Sequence, residues 1–181
     1  MTLDHTRLGH CSLGFNSSLF VVAGFVNGYG SRSVMKFDLG PYNNVYSPRE
    51  WVSLADLEVP RYYPACSVGQ FQGQNGIFVS GGEHMNDIGA VTMENSVEFY
   101  NSEENRWVTV HHMLSPRHYH TMTEINGLTM AAGGLSGLGS NSVLPSVEIL
   151  NGTSWTQANL TVARAGHSSV AIEGNAMFCK P

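Results

Sequence analysis

Apolar residues in this chain come in short bursts that end in small residues: Leu19-Phe20-Val21-Val22-Ala23-Gly24, Ile77-Phe78-Val79-Ser80-Gly81-Gly82 and Thr129-Met130-Ala131-Ala132-Gly133-Gly134. Each burst is followed by a shorter segment that reads as a strand: Val34-Met35-Lys36-Phe37, Val97-Glu98-Phe99-Tyr100 or Val147-Glu148-Ile149-Leu150. No window of eleven residues carries a helical spacing of apolar positions, so the pattern predicts strands throughout. A stretch such as His120-Thr121-Met122-Thr123-Glu124-Ile125, closed by Asn126-Gly127, predicts a hairpin, because both central turn residues need positive φ. Another strand is expected from each tryptophan, Trp51, Trp107 and Trp155.

These markers recur in a fixed order. Arginines at 7, 61, 117 and 164 are separated by 54, 56 and 47 residues, and the last glycine of each burst follows its arginine by 17, 21 and 17. Each interval holds four strands: one after the arginine, the burst, the alternating segment and the tryptophan strand. Four-stranded units repeated at this period predict blades set radially about an axis.

The ordered set of Gly-Gly, a Val-x-x-Tyr type of strand, Trp, and Arg with His three residues on (Arg7 and His10, Arg117 and His120, Arg164 and His167) resembles the Kelch repeat. Ala23-Gly24 replaces the glycine pair in the first unit, and Pro64 stands where the second should have its histidine. The resemblance implies an all-β, Kelch-type β-propeller. It is expected to be incomplete: three four-stranded blades at about 7–57, 61–114 and 117–162, plus the first half of a fourth at 164–179. It also implies that the strand after each arginine is innermost and the tryptophan strand outermost. The glycines would then sit where blades crowd, and the tryptophans in the wedge between blades.

The next glycine pair is due at 180 and 181, where the chain reads Lys180-Pro181. The expectation is a fragment or truncated product, or a wheel completed by missing blades or a second copy. Residues 19–22 and 176–178 are then expected to lie exposed, with an unpaired strand edge at 177–179.

Composition narrows the options. Charged residues make up 13%, against about 25% in ordinary globular chains, and aromatics 10%, which excludes a disordered chain. Nine Lys and Arg against fourteen Asp and Glu give a net charge of −5, with no basic cluster for nucleic acid or an anionic membrane. Three cysteines, Cys11, Cys66 and Cys179, stand in no metal or redox spacing and are expected to be free thiols in a reducing compartment. With no basic-then-apolar leader and no long apolar run, the expected location is cytoplasmic. Sequons at Asn16, Asn151 and Asn159 leave a secreted or cell-surface glycoprotein as the alternative.

The repeated arginines admit two readings. They can bond to loop carbonyls at blade junctions. Alternatively, they can line the ligand face implied by the resemblance and take an acidic peptide through bidentate bonds. His118 and His120 share a strand face and His111-His112 lie apart, but no third or fourth ligand recurs beside them, so no metal site is expected. No nucleophile, metalloprotease or phosphate-loop motif occurs, so no catalytic residue or cofactor is expected. A piece of a Kelch-fold copper oxidase is the remote alternative.

The expected function is a non-enzymatic module that binds a protein or peptide, acidic on the arginine reading. The resemblance adds a place as the substrate-recognition part of a larger adaptor for a ubiquitin ligase. The variable loops 25–33, 83–95 and 135–146 are expected to share a face with the arginine loops. The candidate contacts are Tyr29, Arg32, Arg61, Tyr62, His84, Asn86, Arg117, His118 and Arg164. Reversing the charges of Arg61 and Arg117 is expected to weaken binding with little loss of folding.

Overall fold

In a computed structural model of the chain, the described residues are 5–40, 50–86, 88–172 and 174–179. Part of the first predicted unit (41–49), Glu173 of the last predicted turn, and Lys180-Pro181 lie outside them. The strands are β1 (Cys11–Phe15), β2 (Ser18–Val22), β3 (Phe25–Val26), β4 (Tyr29–Gly30), β5 (Val34–Asp38), β6 (Trp51–Ser53), β7 (Ala65–Phe71), β8 (Gln74–Ser80) and β9 (Glu83–Met85). They continue with β10 (Val91–Met93), β11 (Val97–Asn101), β12 (Arg106–Thr109), β13 (Thr121–Ile125), β14 (Leu128–Ala132), β15 (Ser146–Asn151), β16 (Ser154–Asn159), β17 (Ser168–Ile172) and β18 (Asn175–Cys179).

Three antiparallel four-stranded sheets run in the orders β1-β2-β5-β6, β7-β8-β11-β12 and β13-β14-β15-β16, and β17-β18 forms a two-stranded fourth unit. The inner strands β1, β7, β13 and β17 are neighbours from one unit to the next. This is an incomplete propeller. The Asn126-Gly127 turn takes the predicted positive φ, 51° and 81°, and sets the β13–β14 register at Ile125 opposite Leu128.

Strand alternation builds the core between blades. Ile77 and Val79 point back to join Phe20, Val22, Val34 and Leu57 of blade 1, together with Tyr100 and Trp107. Phe78, Val97 and Phe99 point forward to join Met122, Ala131, Leu150 and Trp155 of blade 3. The middle blade is therefore apolar on both faces, and all five residues of β11 are buried. Two of the three tryptophans also tie their blade to the preceding one: Trp107 Nε1 donates to the Ala55 carbonyl (3.0 Å), and Trp155 Nε1 to the His111 carbonyl (2.7 Å). Trp51, in the first blade, is only partly buried.

Two expectations are corrected. Cys11 and Cys66 are not free thiols but a disulfide, with Cα atoms 6.1 Å apart. Cys11 stands four residues after its arginine and Cys66 five after its own, so alternation turns them to facing sides of adjacent inner strands. Equivalent contacts join the later blades. Ser80 Oγ meets His120 Nε2 at 2.8 Å, Thr121 Oγ1 meets His167 Nε2 at 3.1 Å, and Thr123 Oγ1 bonds Ser169 Oγ. Cys179 alone is free among the described cysteines, and it is exposed.

The second correction concerns residues 19–22, which are not exposed: Phe20, Val21 and Val22 are buried and Leu19 is half-buried. Within the blade, Val21 lies in register with Met35, and Leu19 with Phe37, whose ring packs on Trp51 at 5.3 Å. In the fourth unit Met177 is exposed, as are Val170 and Ile172, while Ala176 and Phe178 are partly covered.

Emptying an inter-blade aromatic site leaves a cavity and an orphaned Ala55 carbonyl. Trp107→Ala is expected to cost about 3–5 kcal/mol, read by chemical denaturation. An unshifted midpoint would place Trp107 outside the blade junction.

Candidate functional site

The arginine loops and the loops between second and third strands emerge on one face, joined by single bridges: Leu8 to Phe25, Ser31 to Arg61, Tyr62 to Glu83, and His118 to Leu135. In the first two blades the second-to-third-strand loop is itself a small hairpin, β3–β4 and β9–β10, and in the third it carries a 3-10 turn, Ser140–Ser142. Asn27-Gly28, with φ of 51° and 93°, turns the first hairpin.

Beneath this face the arginines are structural. Arg61 is fully buried; its Nη1 donates to the carbonyls of Gly81 (2.7 Å) and Ser96 (3.2 Å), and its Nη2 to Ser96 Oγ (3.1 Å) and Glu98 Oε1 (2.7 Å). Glu98 also accepts the backbone N–H groups of Glu58 (2.7 Å) and Val59 (3.2 Å). Arg117, equally buried, repeats the set with Gly133, Ser146 and Glu148, and Glu148 accepts Leu114 and Ser115. Arg61 and Arg117 are therefore corrected from ligand contacts to junction clasps, and reversing their charges would now be expected to unfold the chain. Without free guanidinium groups from these two, the argument for an acidic partner loses its basis. Arg164 is partly buried and reaches the Val162 and Phe178 carbonyls at 3.5 and 3.4 Å.

The other candidates divide by burial. His118 is also corrected: it is buried, with Nδ1 2.9 Å from Met93 Sδ, and burial lowers its pKa. Tyr62 is buried as well, ring to ring with Phe25 (5.3 Å) and Tyr63 (5.4 Å). His84 and Asn86 are half-buried, with His84 Nδ1 3.3 Å from Glu94 Oε1. Tyr29 and Arg32 stand exposed.

Sequence reasoning missed what lies around the axis. The residue two after each arginine, Gly9, Tyr63, Tyr119 or Gly166, has φ between 53° and 65°. Their backbones link head to tail: Tyr63 N–H to the Gly9 carbonyl (2.6 Å), Tyr119 to Tyr63 (3.3 Å) and Gly166 to Tyr119 (2.8 Å). The Tyr63 and Tyr119 rings stack with centroids 4.0 Å apart. A Cβ on Gly9 would sit 2.6 Å from the Tyr63 ring, so the tyrosine needs the glycine beside it. With the next residues, His10, Pro64, His120 and His167, these four line a cleft of about 190 Å³. Burial lowers the pKa of all three histidines, so the mouth is lined by neutral imidazole at neutral pH. A larger cleft of about 450 Å³ lies at the other end of the second blade, by Gln72, Asn101 and Arg106. Among the described residues no three His, Cys, Asp or Glu side chains are grouped to hold a metal ion.

Repeated clasps, glycine pairs at positive φ and tryptophan ties define a Kelch-type β-propeller. The chain is 30% identical over 100 residues to Kelch-like protein 13 of Mus musculus, a match that spans 55% of this chain and 14% of that protein. It is similar in fold to the solved structure of YjhT, with a TM-score of 0.75 at 17% identity, over 97% of this chain and 58% of the other. At that identity the likeness speaks for the fold alone. No protein-family model matches the chain.

Removing one member of a clasp leaves the other charge buried and unpaired. Glu148→Ala is expected to cost about 3–5 kcal/mol, and Arg117→Ala a similar amount. A double variant less destabilised than the sum of the two, in denaturant titrations, would confirm that they act as one unit.

Proposed function

We propose that this chain is a protein-binding module, not an enzyme, and that it engages its partner through the face carrying the arginine loops. The supporting observation is that each loop between second and third strands carries a highly exposed apolar side chain: Tyr29 at 66%, Ile88 at 88% and Leu138 at 76%. Single exposed apolar residues are ordinary; one on each of three neighbouring loops at one end of a rigid scaffold is the arrangement of a contact surface. Of the contacts expected from the sequence, Tyr29, Arg32, His84 and Asn86 remain in this reading. A place within a larger adaptor is a reading that the likeness to a Kelch-like protein supports.

The combined variant Tyr29→Ser, Ile88→Ser, Leu138→Ser should keep its melting temperature and lose at least about tenfold in affinity for a captured partner, since a few central apolar anchors dominate such interfaces. Leu128→Ser, in the turn region at the opposite end, should leave affinity unchanged. If the control loses binding and the loop variant does not, the face is wrong.

The disulfide favours a second reading, on compartment. A covalent Cys11–Cys66 bridge suits an oxidising environment, which turns the balance from the cytoplasmic expectation to the secreted or cell-surface one. The sequon asparagines Asn16, Asn151 and Asn159 are all exposed, as N-glycosylation requires. Peptide mapping of protein from its native source, without reduction, should recover the Cys11 and Cys66 peptides linked, and glycosidase treatment should lower its mass. Two free thiols on an unglycosylated chain would restore the cytoplasmic reading.

A further inference from the structure

From the first blade to the third, five rings form an unbroken chain of contacts: Phe25 to Tyr62 (5.3 Å), Tyr62 to Tyr63 (5.4 Å), Tyr63 to Tyr119 (4.0 Å), and Tyr119 to His118 (5.1 Å). Beside them lies the carboxyl of Glu83, in the position held by Phe25 in the first blade and Leu135 in the third. Glu83 is more than nine-tenths buried, and its Oε2 makes no hydrogen bond among the described residues.

Among the described residues no charged cation answers this carboxyl. His118 Nδ1 is 3.8 Å away but is held toward the neutral form by burial. Arg61 and Arg117 are committed to Glu98 and Glu148, and no described lysine or arginine pairs with Glu83. Burial raises the pKa of Glu83, and the neighbouring Tyr62 hydroxyl offsets this only in part. Burial and then the Glu83 charge raise the pKa of Tyr62, while Tyr119 is raised by burial, by Tyr63 and then by Glu83, so both hydroxyls lie within the carboxyl's field.

We propose that Glu83 and the rings of Tyr62, Tyr63 and Tyr119 form a recognition site for an arginine side chain of the partner protein. The proposal rests on the binding face described above and gives the partner's chemistry, opposite in sign to the acidic peptide expected from the sequence. A guanidinium fits both parts of the site: its plane stacks on an aromatic face, and its fork of N–H donors matches a carboxylate. Entry would be along Tyr119, a residue that is 37% exposed. Lysine meets the charge requirement but not the planar one.

Titration of the full chain with N-acetyl-arginine amide, followed by the tyrosine ring resonances, tests the site without any partner. The arginine amide should shift Tyr119 and Tyr62 saturably, the lysine amide more weakly, and the neutral isostere N-acetyl-citrulline amide not at all. Glu83→Gln should weaken the arginine response about tenfold, the order expected for a charge-assisted bond. Tyr119→Gly, which places glycine at a φ of 53° that favours it, should keep the fold and abolish the response. Equal shifts with citrulline, no shift with arginine, or full binding by both variants would overturn the proposal. If the amide binds but the loop-tip variant keeps its partner, the loop reading fails and the arginine site stands.

Discussion

A buried guanidinium at each of the first two blade junctions, Arg61 and Arg117, organises most of what surrounds it. Arg61 holds the end of the second strand through Gly81, the start of the third through Ser96, and a carboxylate, Glu98, that in turn holds the incoming loop through the N–H groups of Glu58 and Val59. Three stretches of the chain, 58–61, 80–81 and 96–98, meet at one planar cation. Two desolvated charges add little net stability. What this clasp supplies is position: the chain leaves it in a fixed direction, and the next three residues are delivered to the axis and the loop face.

The first blade departs from this arrangement. Met35 stands where the later blades have glutamate, although Arg7 still donates to the Ala23 carbonyl at 3.1 Å. Ala23 itself sits at φ 61°, a conformation that glycine adopts in the other two blades. This blade is the one whose inner strand is covalently joined to its neighbour. A cross-link that restrains the unfolded chain acts without an electrostatic partner, so it adds to the Arg61 clasp at the junction of the first and second blades.

The fold was legible because its signals repeat: glycine pairs, tryptophans and arginines each set a strand end or a blade boundary in a fixed order, at intervals of 47 to 56 residues for the arginines. The site was less legible, because the same arginine can face inward or outward and only its partner decides. Glu98 and Glu148 occupy the same place in their repeats as Arg61 and Arg117 do in theirs, and pairing these two recurrences would have predicted the burial. The disulfide had a similar signal. The separation of Cys11 and Cys66, 55 residues, differs by one from the arginine spacing, and one residue is what turns two strand side chains toward each other across a junction. No such recurrence marks Glu83, which replaces an apolar residue in a single blade, so only the three-dimensional neighbourhood exposes it.

The tyrosines at the axis oppose the local preference of the backbone. Gly9 and Gly166 show the residue that suits the left-handed turn two places after each arginine, yet Tyr63 and Tyr119 occupy it in the middle blades. A bulky side chain held there costs on the order of 1–2 kcal/mol. The stacked pair at 4.0 Å returns about 0.5–1.5 kcal/mol, so stacking does little more than offset the strain. Stability therefore gives no reason to prefer the rings over glycine. The backbone hydrogen bonds linking the four positions hold them in the strained conformation whichever side chain is present. Such over-determined strain is characteristic of ligand clamps, and here it presents two aromatic faces beside a carboxyl that no lysine or arginine among the described residues pairs with.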